Sequence, residues 1–287
     1  MSTTHEQIQF TKMTGAGNDF VLVDNRDTRY RTRWEHFARA SCDRRYGIGA
    51  DGLLLLESSS MADFRMLYFN ADGSSGGMCG NGGRCAAAFV MRGRRSDQVK
   101  FEAIGYVYSA SRSGASVKLK MKNPTAITLD GNLMIADSMV PYHFVDTGAP
   151  HVVFYFEELP AEIQSVFLSE GIDGLGRIVR YHPNFSPAGT NVNVVSKGLN
   201  GAIEMRTFER GVETETLACG TGAVACSVIS ALRWDSKPPI NVKTRSGEVL
   251  QVNFQTKGDT IFDIELDGPV RFVFTGEINI DLDQGHE

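Results

Sequence analysis

Hydrophobic and polar positions alternate along several segments of the chain, and this period of two predicts β-strands with one buried face. The alternation is regular in residues 116–121, 249–254 and 261–266. Residues 10–24 predict two strands joined by a glycine turn, and Phe64–Asn70 predicts a strand that ends in an Asp-Gly turn. The pattern therefore favours a protein rich in antiparallel strands.

Two segments depart from the alternation and predict helices. Residues 83–91 and 222–233 are rich in alanine, contain no proline and follow a glycine-rich stretch. We therefore expect an α+β fold with one central helix in each half of the chain.

The two halves of the sequence carry similar features in the same order. Thr14-Gly15-Ala16 is followed 133 positions later by Thr147-Gly148-Ala149, and Cys79-Gly80-Asn81-Gly82 is followed 140 positions later by Cys219-Gly220-Thr221-Gly222. Hairpin-like stretches around Gly105 and Gly247 continue the series. This order predicts a duplicated αβ unit with a cleft between the copies. We place the halves at residues 1–124 and 125–287, and leave open that the last strand returns to the N-terminal half.

Composition narrows the possible partners. The chain has 287 residues, 42% hydrophobic and 22% charged, with a formal charge of −5. An acidic balance without a basic stripe argues against nucleic acid as a partner. The longest apolar runs, such as residues 53–56, are too short to span a bilayer, and the start of the chain does not resemble a secretion signal. We expect a cytoplasmic protein that does not bind membranes.

The chain has five cysteines, at positions 42, 79, 85, 219 and 226. This number is small and odd, so it does not suggest a disulfide framework. Their spacings do not match structural zinc sites, and no histidine pair accompanies them, so no metal is expected. Cys42, Cys85 and Cys226 are interpreted as small buried hydrophobic residues. Cys79 and Cys219 differ, because each is followed by the pattern Gly-x-Gly at the start of a predicted helix.

This pattern suits a reactive thiol. Glycines leave the N–H groups of the first helical turn accessible beside the sulfur, which makes an anion site and favours the thiolate. Two such elements are suited to hold a carboxylate and to exchange a proton at the adjacent carbon, one thiol on each face. Stereoinversion of an α-amino acid needs these groups and no pyridoxal cofactor, so we expect no cofactor.

At these residues the chain resembles the diaminopimelate epimerase family over nearly its whole length. The two cysteine motifs, residues 78–85 and 218–223, resemble that family's signatures. Further matching segments are Gly15-Ala16-Gly17-Asn18-Asp19-Phe20, Gly47-Ile48-Gly49-Ala50-Asp51-Gly52, Phe69-Asn70-Ala71-Asp72-Gly73, Pro150-His151, Gly189-Thr190-Asn191-Val192-Asn193 and Glu209-Arg210-Gly211. The related proline racemases carry a histidine where this chain has Asn81, and phenazine-type isomerases lack the paired cysteines.

The resemblance implies two pseudo-symmetric αβ domains, each an antiparallel-rich sheet or barrel around a central helix, with the active site in the cleft between them. It implies a homodimer that converts LL-2,6-diaminopimelate to the meso form for lysine and cell-wall synthesis. Catalytic roles fall to Cys79 and Cys219. Substrate-binding roles fall to Asn18, Asn70, Gly80, Asn81, Asn191, Glu209, Arg210, Gly220 and Thr221. Arg210 is expected to bind the distal carboxylate and Glu209 the distal ammonium, with His151 near the site, whereas Asp19 and Asp72 are expected to be turn or cap residues.

Three departures from the family pattern concern recognition of the distal end. Ala149 replaces a common asparagine, Gly52 replaces a common glutamine, and residues 211–218 are one residue longer than usual. Two alternatives therefore stay open. One is a cofactor-independent racemase or epimerase that acts on another amino acid, and the other is a catalytically silent amino-acid-binding relative.

Overall fold

The fold was analysed in a computed structural model that describes residues 7–258 and 260–279. The chain forms two compact units. Of the described residues, 7–119 and 268–279 form the N-terminal unit, and those of Lys120–Asp267 form the C-terminal unit. The N-terminal unit thus includes the last described part of the chain.

The strands and helices follow one another in this order: β1 (Gln7–Gly15), β2 (Asn18–Asp24), α1 (Trp34–Cys42), β3 (Gly52–Glu57), β4 (Phe64–Asn70), α2 (Gly80–Arg92), β5 (Gln98–Ala103), β6 (Tyr106–Ser113), β7 (Ser116–Lys120), β8 (Thr125–Ile135), β9 (Ser138–Asp146), β10 (Pro150–Tyr155), α3 (Ala161–Glu170), α4 (Ile172–Arg180), β11 (Asn191–Lys197), β12 (Ile203–Glu209), β13 (Thr214–Thr216), α5 (Gly220–Trp234), β14 (Ile240–Lys243), β15 (Val249–Lys257) and β16 (Thr260–Asn279).

The N-terminal unit is built on a closed barrel of eight strands. Its strand order is β1-β2-β3-β4-β5-β6-β7-β16, and β16 also pairs with β1, which closes the ring. The closing partners of β1 are Val270–Asn279. The pairs β2–β3 and β4–β5 are parallel, and β1–β2, β3–β4, β5–β6 and β6–β7 are antiparallel.

The C-terminal unit has a similar order of strands. Its strand order is β8-β9-β10-β11-β12-β14-β15-β16, with β13 added on β12. The pairs β10–β11 and β12–β14 are parallel, and β9–β10, β11–β12, β14–β15 and β15–β16 are antiparallel. The pairs from β1 to β7 have the same sequence of directions, so the predicted duplication of an αβ unit is confirmed.

One helix in each unit is enclosed by strands, as predicted. Helix α2 contacts β1 to β6, and α5 contacts β9 to β12, β14 and β15. Eleven of the thirteen residues of α2 and ten of the fifteen of α5 are buried. Alanine and glycine make up six of the thirteen residues of α2 and five of the fifteen of α5, and these small residues let each helix pack closely against the strands around it. Helix α2 begins three residues earlier than predicted, directly after Cys79, and α5 begins two residues earlier, directly after Cys219.

Strand β3 is buried on both faces, which explains its unbroken apolar sequence. Leu53 and Leu55 pack in a hydrophobic cluster with Phe37 of α1. Successive side chains of a strand point to opposite faces, and Leu54 lies beside Gly82 of α2. Helices α1 and α2 therefore cover opposite faces of the strand. In the C-terminal unit, α3 and α4 pack on the sheet in a second cluster of this kind.

Three helices were not predicted, namely α1, α3 and α4, whereas the hairpins were. The turn between β1 and β2 consists of Ala16 and Gly17, and that between β5 and β6 of Ile104 and Gly105; all four residues have positive φ. Two positive values in a row are typical of the tight turn that joins antiparallel strands.

Of the helices described, none combines the length and the apolar character that a membrane crossing requires.

Candidate active site

Cys79 and Cys219 hold equivalent positions, each as the residue that caps the N-terminus of the central helix of its unit. Both have extended backbone, with φ of −99° and −123°. The carbonyl oxygen of each accepts the first helical hydrogen bond, from Gly83 N at 2.8 Å and from Ala223 N at 2.9 Å. Neither helix has an acidic residue in its first turn. The positive end of a helix dipole therefore lies next to each sulfur, which favours the thiolate.

The two sulfurs differ in the donors that reach them. The backbone N–H of Gly82 donates to the Cys79 sulfur at 3.3 Å. At Cys219 the nearby group is a side chain, the hydroxyl of Thr221, with 3.4 Å between Oγ1 and the sulfur. Cys219 is also buried, whereas Cys79 is partly exposed.

Gly82 and Gly222 are required for packing. A Cβ on Gly82 would lie 2.8 Å from a methyl carbon of Leu54, and one on Gly222 would lie 2.8 Å from Oδ1 of Asn193. For Gly82 this packing requirement stands beside the predicted access of a ligand to the N–H groups, which remains a prediction. Glycine at these positions lets the helix approach β3 or β11 closely enough to place the capping cysteine.

A polar cluster lies at the start of α2. Asn81 is buried, and its Nδ2 donates to Oδ1 of Asn18 at 2.6 Å. Arg84, also buried, donates from Nη2 to Oδ1 of Asn81 at 2.7 Å and from Nη1 to the carbonyl of Gly80 at 3.4 Å. Asn18 in turn donates to Oδ2 of Asp51 at 3.0 Å. The structure thus brings Asn18, Gly80 and Asn81 together beside Cys79.

Asp19 belongs to an ion-pair network behind this cluster, so its assignment as a turn or cap residue is wrong. Lys12, only 7% exposed, donates to its Oδ2 at 2.7 Å, and Arg44 bridges Asp19 and Asp51. Burial opposes ionisation of Asp19, but the hydrogen bonds and charges of Arg44 and Lys12 outweigh it and hold the pKa of this carboxyl below its ordinary value.

Asn70 lies at the end of β4 and is held by the turn that follows. Its Nδ2 donates to Oγ of Ser74 at 2.9 Å, and its backbone N donates to the carbonyl of Ser74 at 2.9 Å. Asp72 accepts from the backbone N of Ser74 at 2.8 Å, so its prediction as a turn residue is confirmed. Asn70 pairs with Gly52 across the sheet.

Gly52, one of the three departures from the family pattern, has no space for a side chain. A Cβ there would lie 2.5 Å from the carbonyl oxygen of Phe69 and 2.5 Å from the Tyr68 ring. A Cβ on Gly76 would also meet that ring, at 2.2 Å. Tyr68 therefore fills the space beside both glycines, and a glutamine at position 52 is incompatible with this packing.

In the C-terminal unit, four side chains form a hydrogen-bonded series that ends at Cys219. Thr207 Oγ1 donates to Asn193 Oδ1 at 2.9 Å, and Asn193 Nδ2 lies 3.1 Å from His151 Nδ1. His151 Nε2 lies 3.0 Å from Thr221 Oγ1, which is the hydroxyl beside the Cys219 sulfur. We call Thr207, Asn193, His151 and Thr221 the relay. Of the predicted residues, Thr221 thus lies beside the Cys219 sulfur, and His151 is hydrogen-bonded to Thr221.

His151 is neutral in this environment. Its side chain is fully buried, and burial lowers its pKa to about 3, with the positive charge of Arg210 adding to the effect and the hydrogen bond with Asn193 opposing it. An imidazole with such a pKa carries no charge at neutral pH. His151 therefore acts as a hydrogen-bonding group and does not hold a second proton.

Of the residues predicted to bind the distal end, Asn191 begins β11, Glu209 ends β12 and Arg210 follows β12 directly. Asn191 Nδ2 donates to the carbonyl of Pro150 at 2.9 Å, and its Oδ1 accepts from the backbone N of Arg210 at 2.9 Å. The Arg210 side chain donates to the carbonyl of Ala188 at 3.2 Å. Asn191 therefore holds the backbone of Arg210, next to the half-buried Glu209.

The longer segment after Arg210 forms a short hairpin between β12 and β13. Glu213 N donates to the carbonyl of Glu209 at 2.8 Å, and the Glu213 carboxylate accepts from Arg180 at 3.0 Å, Tyr181 at 2.9 Å and the backbone N of Gly211 at 2.9 Å. The added length is thus anchored to α4 by a hydrogen-bonded carboxylate.

The remaining cysteines are buried and have raised pKa values. Burial raises the pKa of Cys42 to about 11 and that of Cys85 to about 12, and it raises the pKa of Cys226 strongly. Such thiols are poor nucleophiles, which agrees with their interpretation as small hydrophobic residues. Within the described part of the chain, no three histidine, cysteine or acidic side chains are grouped so as to hold a metal ion.

Two groups of site residues were not identified from the sequence. Asn193 and Thr207 complete the relay, and Asp51 supports Asn18. A signal existed for Asn193, because Asn191 and Asn193 alternate on β11 and so share one face of the strand. Thr207 and Asp51 carry no local signal.

Comparison with known proteins agrees with the geometry. The profile of the family described as diaminopimelate epimerase matches residues 10–125 and 143–273. A diaminopimelate epimerase of Chlorobaculum tepidum is 45% identical over 273 residues, which cover 93% of this chain and 100% of that protein. One of Aquifex aeolicus is 39% identical over 290 residues, which cover 95% and 98%.

A solved structure supports the fold. The hydroxyproline epimerase of Agrobacterium vitis, determined with bound trans-4-hydroxy-L-proline, superposes with a TM-score of 0.72 at 13% identity and covers 98% of this chain and 94% of its own. At that identity the likeness concerns the fold alone. The family profile and the two sequence relatives decide the family: the chain belongs to the diaminopimelate epimerases.

Proposed function

We propose that this protein is an isomerase that converts LL-2,6-diaminopimelate to meso-diaminopimelate by proton transfer at the α-carbon, with Cys79 and Cys219 as the acid and base and without a cofactor. The observation that carries the proposal is the equivalent position of the two cysteines, each capping the N-terminus of a central helix. Membership of the family supplies the substrate, because the relatives at 45% and 39% identity are named for it.

The reaction needs one thiolate and one thiol. The thiolate removes the α-proton, the C–H bond breaks, and its electron pair delocalises into the carboxylate. The other thiol then delivers its proton to the opposite face of the carbon, so the two cysteines exchange protonation states in each turnover. Backbone N–H groups in the first turns of α2 and α5, from Gly80, Asn81, Gly220 and Thr221, stabilise the negative charge that develops on the carboxylate.

The second zwitterionic end of the substrate needs a cation, an anion and neutral donors. Arg210 binds its carboxylate and Glu209 its ammonium, with Asn18, Asn70 and Asn191 as hydrogen-bonding partners. Asn191 is hydrogen-bonded to the carbonyl of Pro150 and to the backbone N of Arg210. These hydrogen bonds support the assignment, because they fix the backbone from which the Arg210 side chain extends.

Solvent exchange tests the reaction directly. Purified, reduced protein in D₂O, without added metal or pyridoxal phosphate, should incorporate deuterium at the α-carbon of LL-diaminopimelate and form the meso isomer. Absence of exchange by folded, reduced protein would remove the proposal.

Substitution of the cysteines tests the two-base assignment. Cys79→Ser and Cys219→Ser should each lower turnover by several orders of magnitude while the thermal unfolding temperature stays close to that of the wild type. Cys85→Ala and Cys226→Ala are matched controls, since they remove thiols from the interiors of the same two helices and should leave most of the turnover. Wild-type turnover in either serine variant contradicts the assignment.

A second candidate keeps the chemistry and changes the substrate to another amino acid. It is favoured by Gly52, where the Tyr68 ring and the Phe69 carbonyl exclude the glutamine common in the family, and by Ala149. A solvent-exchange screen across amino acids separates the two candidates. Faster exchange with a substrate that lacks the distal zwitterion would decide for the second.

Two further expectations remain predictions. The family resemblance implies a homodimer, which light scattering coupled to size-exclusion chromatography measures. It also implies action in the cytoplasm, which cell fractionation followed by activity assay measures.

A further inference from the structure

The direction of each hydrogen bond in the relay follows from the orientation of the Asn193 amide. Asn193 Nδ2 lies 2.9 Å from the carbonyl oxygen of Val152, and Asn193 Oδ1 lies 2.9 Å from the hydroxyl of Thr207. An amide oxygen in place of Nδ2 would face the carbonyl oxygen, so the orientation of this amide is fixed. The nitrogen that donates to Val152 also lies 3.1 Å from Nδ1 of His151, which must then be the acceptor.

An accepting Nδ1 places the single ring proton of neutral His151 on Nε2. Nε2 therefore donates to Oγ1 of Thr221 at 3.0 Å. The Thr221 hydroxyl has one hydrogen of its own, and the Cys219 sulfur lies 3.4 Å away. Thr221 is the second residue of α5, so no carbonyl of a preceding helical turn competes for that hydrogen.

The corresponding side chain of the N-terminal unit is an amide and not a hydroxyl. Asn81 stands two residues after Cys79, as Thr221 does after Cys219, but its amide is engaged by Asn18 and Arg84. The Cys79 sulfur accepts from a backbone amide, whose position the helix sets. The two cysteines are therefore chemically unequal, because the side chain two residues after Cys219 is a hydroxyl and the one two residues after Cys79 is an amide.

We propose that the relay directs the Thr221 hydroxyl to donate to the Cys219 sulfur and thereby favours the thiolate of Cys219. Asn193 is a positioning residue in this scheme: it sets the tautomer of His151 without touching the substrate. The inference deepens the proposed function, and it rests on Cys219 acting as an acid and base.

The surroundings keep the relay in one state over the working pH range. Thr207, Asn193 and His151 are almost completely buried, and the charged or titratable groups that act on the cluster are Arg210, near His151, and Cys226, near Cys219. Burial raises the pKa of Cys226 well above its ordinary value, so this thiol stays protonated at neutral pH, and His151 stays neutral. None of these groups reverses the relay between pH 6 and pH 9.

Two variants reverse or remove the donor. Asn193→Asp presents a carboxylate oxygen to Nδ1 of His151, which moves the ring proton to Nδ1 and turns the Thr221 hydroxyl toward Nε2 and away from the sulfur. Thr221→Val removes the hydroxyl, and Thr221→Ser restores it as the matched control. The two routes are independent, so a folding defect in one variant leaves the other as a test.

Alkylation of the full protein by iodoacetamide, followed by peptide mass spectrometry, measures Cys219 and Cys79 in the same sample. At pH 7 we expect Cys219 to react about tenfold more slowly in Asn193→Asp and Thr221→Val, the order of one hydrogen bond to a charged group. The slowing should fade at alkaline pH, where the thiol ionises without help from the hydroxyl, Cys79 should keep its wild-type rate, and Thr221→Ser should stay within about threefold of the wild type. An unchanged Cys219 profile in folded Thr221→Val, or an equal change at both cysteines, would overturn the proposal.

Nitrogen-15 NMR of the His151 ring gives a second readout. The proton should reside on Nε2 in the wild type and move to Nδ1 in Asn193→Asp, and wild-type protein protonated on Nδ1 would overturn the proposal. Neither measurement needs turnover. A protein that fails to exchange the α-hydrogen of diaminopimelate would therefore refute the proposed function while the relay could still be tested.

Discussion

His151 makes the stability of the fold depend on pH in a window that can be calculated. Burial lowers the pKa of this imidazole from 6.5 to about 3. Between these two values the unfolded chain binds a proton that the folded protein does not. The contribution of His151 is therefore fully present above pH 6.5 and is lost as the pH falls toward 3.

The magnitude follows from the same two values. One pH unit corresponds to about 1.4 kcal/mol for each proton linked to unfolding. Between pH 7.5 and pH 5.0 the titration of His151 spans 1.5 units, from 6.5 down to 5.0, so the free energy of unfolding should fall by about 2 kcal/mol on its account.

The assay compares urea unfolding of the wild type and of His151→Gln at both pH values. Glutamine keeps polar atoms near Asn193 and Thr221 but does not titrate. Packing changes caused by the substitution affect both pH values alike, so they cancel in the difference. We expect the wild type to lose about 2 kcal/mol more than the variant on acidification.

His143 also has a lowered pKa because of burial, and it contributes equally to both proteins, so it does not enter the comparison. Equal losses in wild type and variant would refute the reasoning, because they would mean that His151 accepts a proton inside the fold as readily as in the unfolded chain.

Three further predictions concern other parts of the structure. Gly52→Ala should cost about 2 kcal/mol of unfolding free energy, because its Cβ would overlap the Phe69 carbonyl; Gly93→Ala, with open space around its Cβ, should cost little, and similar melting temperatures for both would contradict the packing. Lys12→Met should lower the free energy of unfolding by about 2 kcal/mol at pH 7, because it leaves Asp19 with one cation fewer. The difference in urea midpoint between the wild type and this variant should narrow at pH 3, and a constant difference would argue against the ion pair. Glu213→Gln should raise KM for diaminopimelate several-fold at nearly constant kcat, because the hairpin after Arg210 loses a charged anchor; an unchanged KM would count against a role in recognition.

Much of the fold was readable because local patterns are repeated. Alternation identified the strands, paired glycine turns identified the hairpins, and the repeated Cys-Gly-x-Gly pattern located both central helices. The starts of these helices were placed too late, since glycine disfavours a helix interior. Here the glycines form the first turn, where close packing outweighs propensity.

The helices α3 and α4 were missed although their sequences carry a signal. Ile163 and Phe167 are four positions apart, and Ile172, Leu175 and Val179 follow the spacing of one helix face. The interpretation of each half as strands around one helix left no place for helices on the other face of the sheet. The apolar run of β3 already indicated that both faces were covered.

The site, too, was predicted in one part and missed in another. The capping cysteines and the residues beside them follow from local motifs, so they could be named from the sequence. The relay could not, because it depends on register: His151 lies opposite Asn191 in the parallel pairing of β10 and β11, and Thr207 opposite Asn193 on β12. Asp19 was misjudged for the same reason, since Lys12 lies across the first hairpin and Arg44 lies 25 positions away.

The last strand has a consequence for the order in which the protein is made. Residues 270–279 close the barrel that begins with the first described strand, so the N-terminal unit remains an open sheet with two unpaired edges until these residues have been synthesised. Exposed edges invite pairing with other chains. Nascent chains that stall or are cut before position 270 should therefore aggregate.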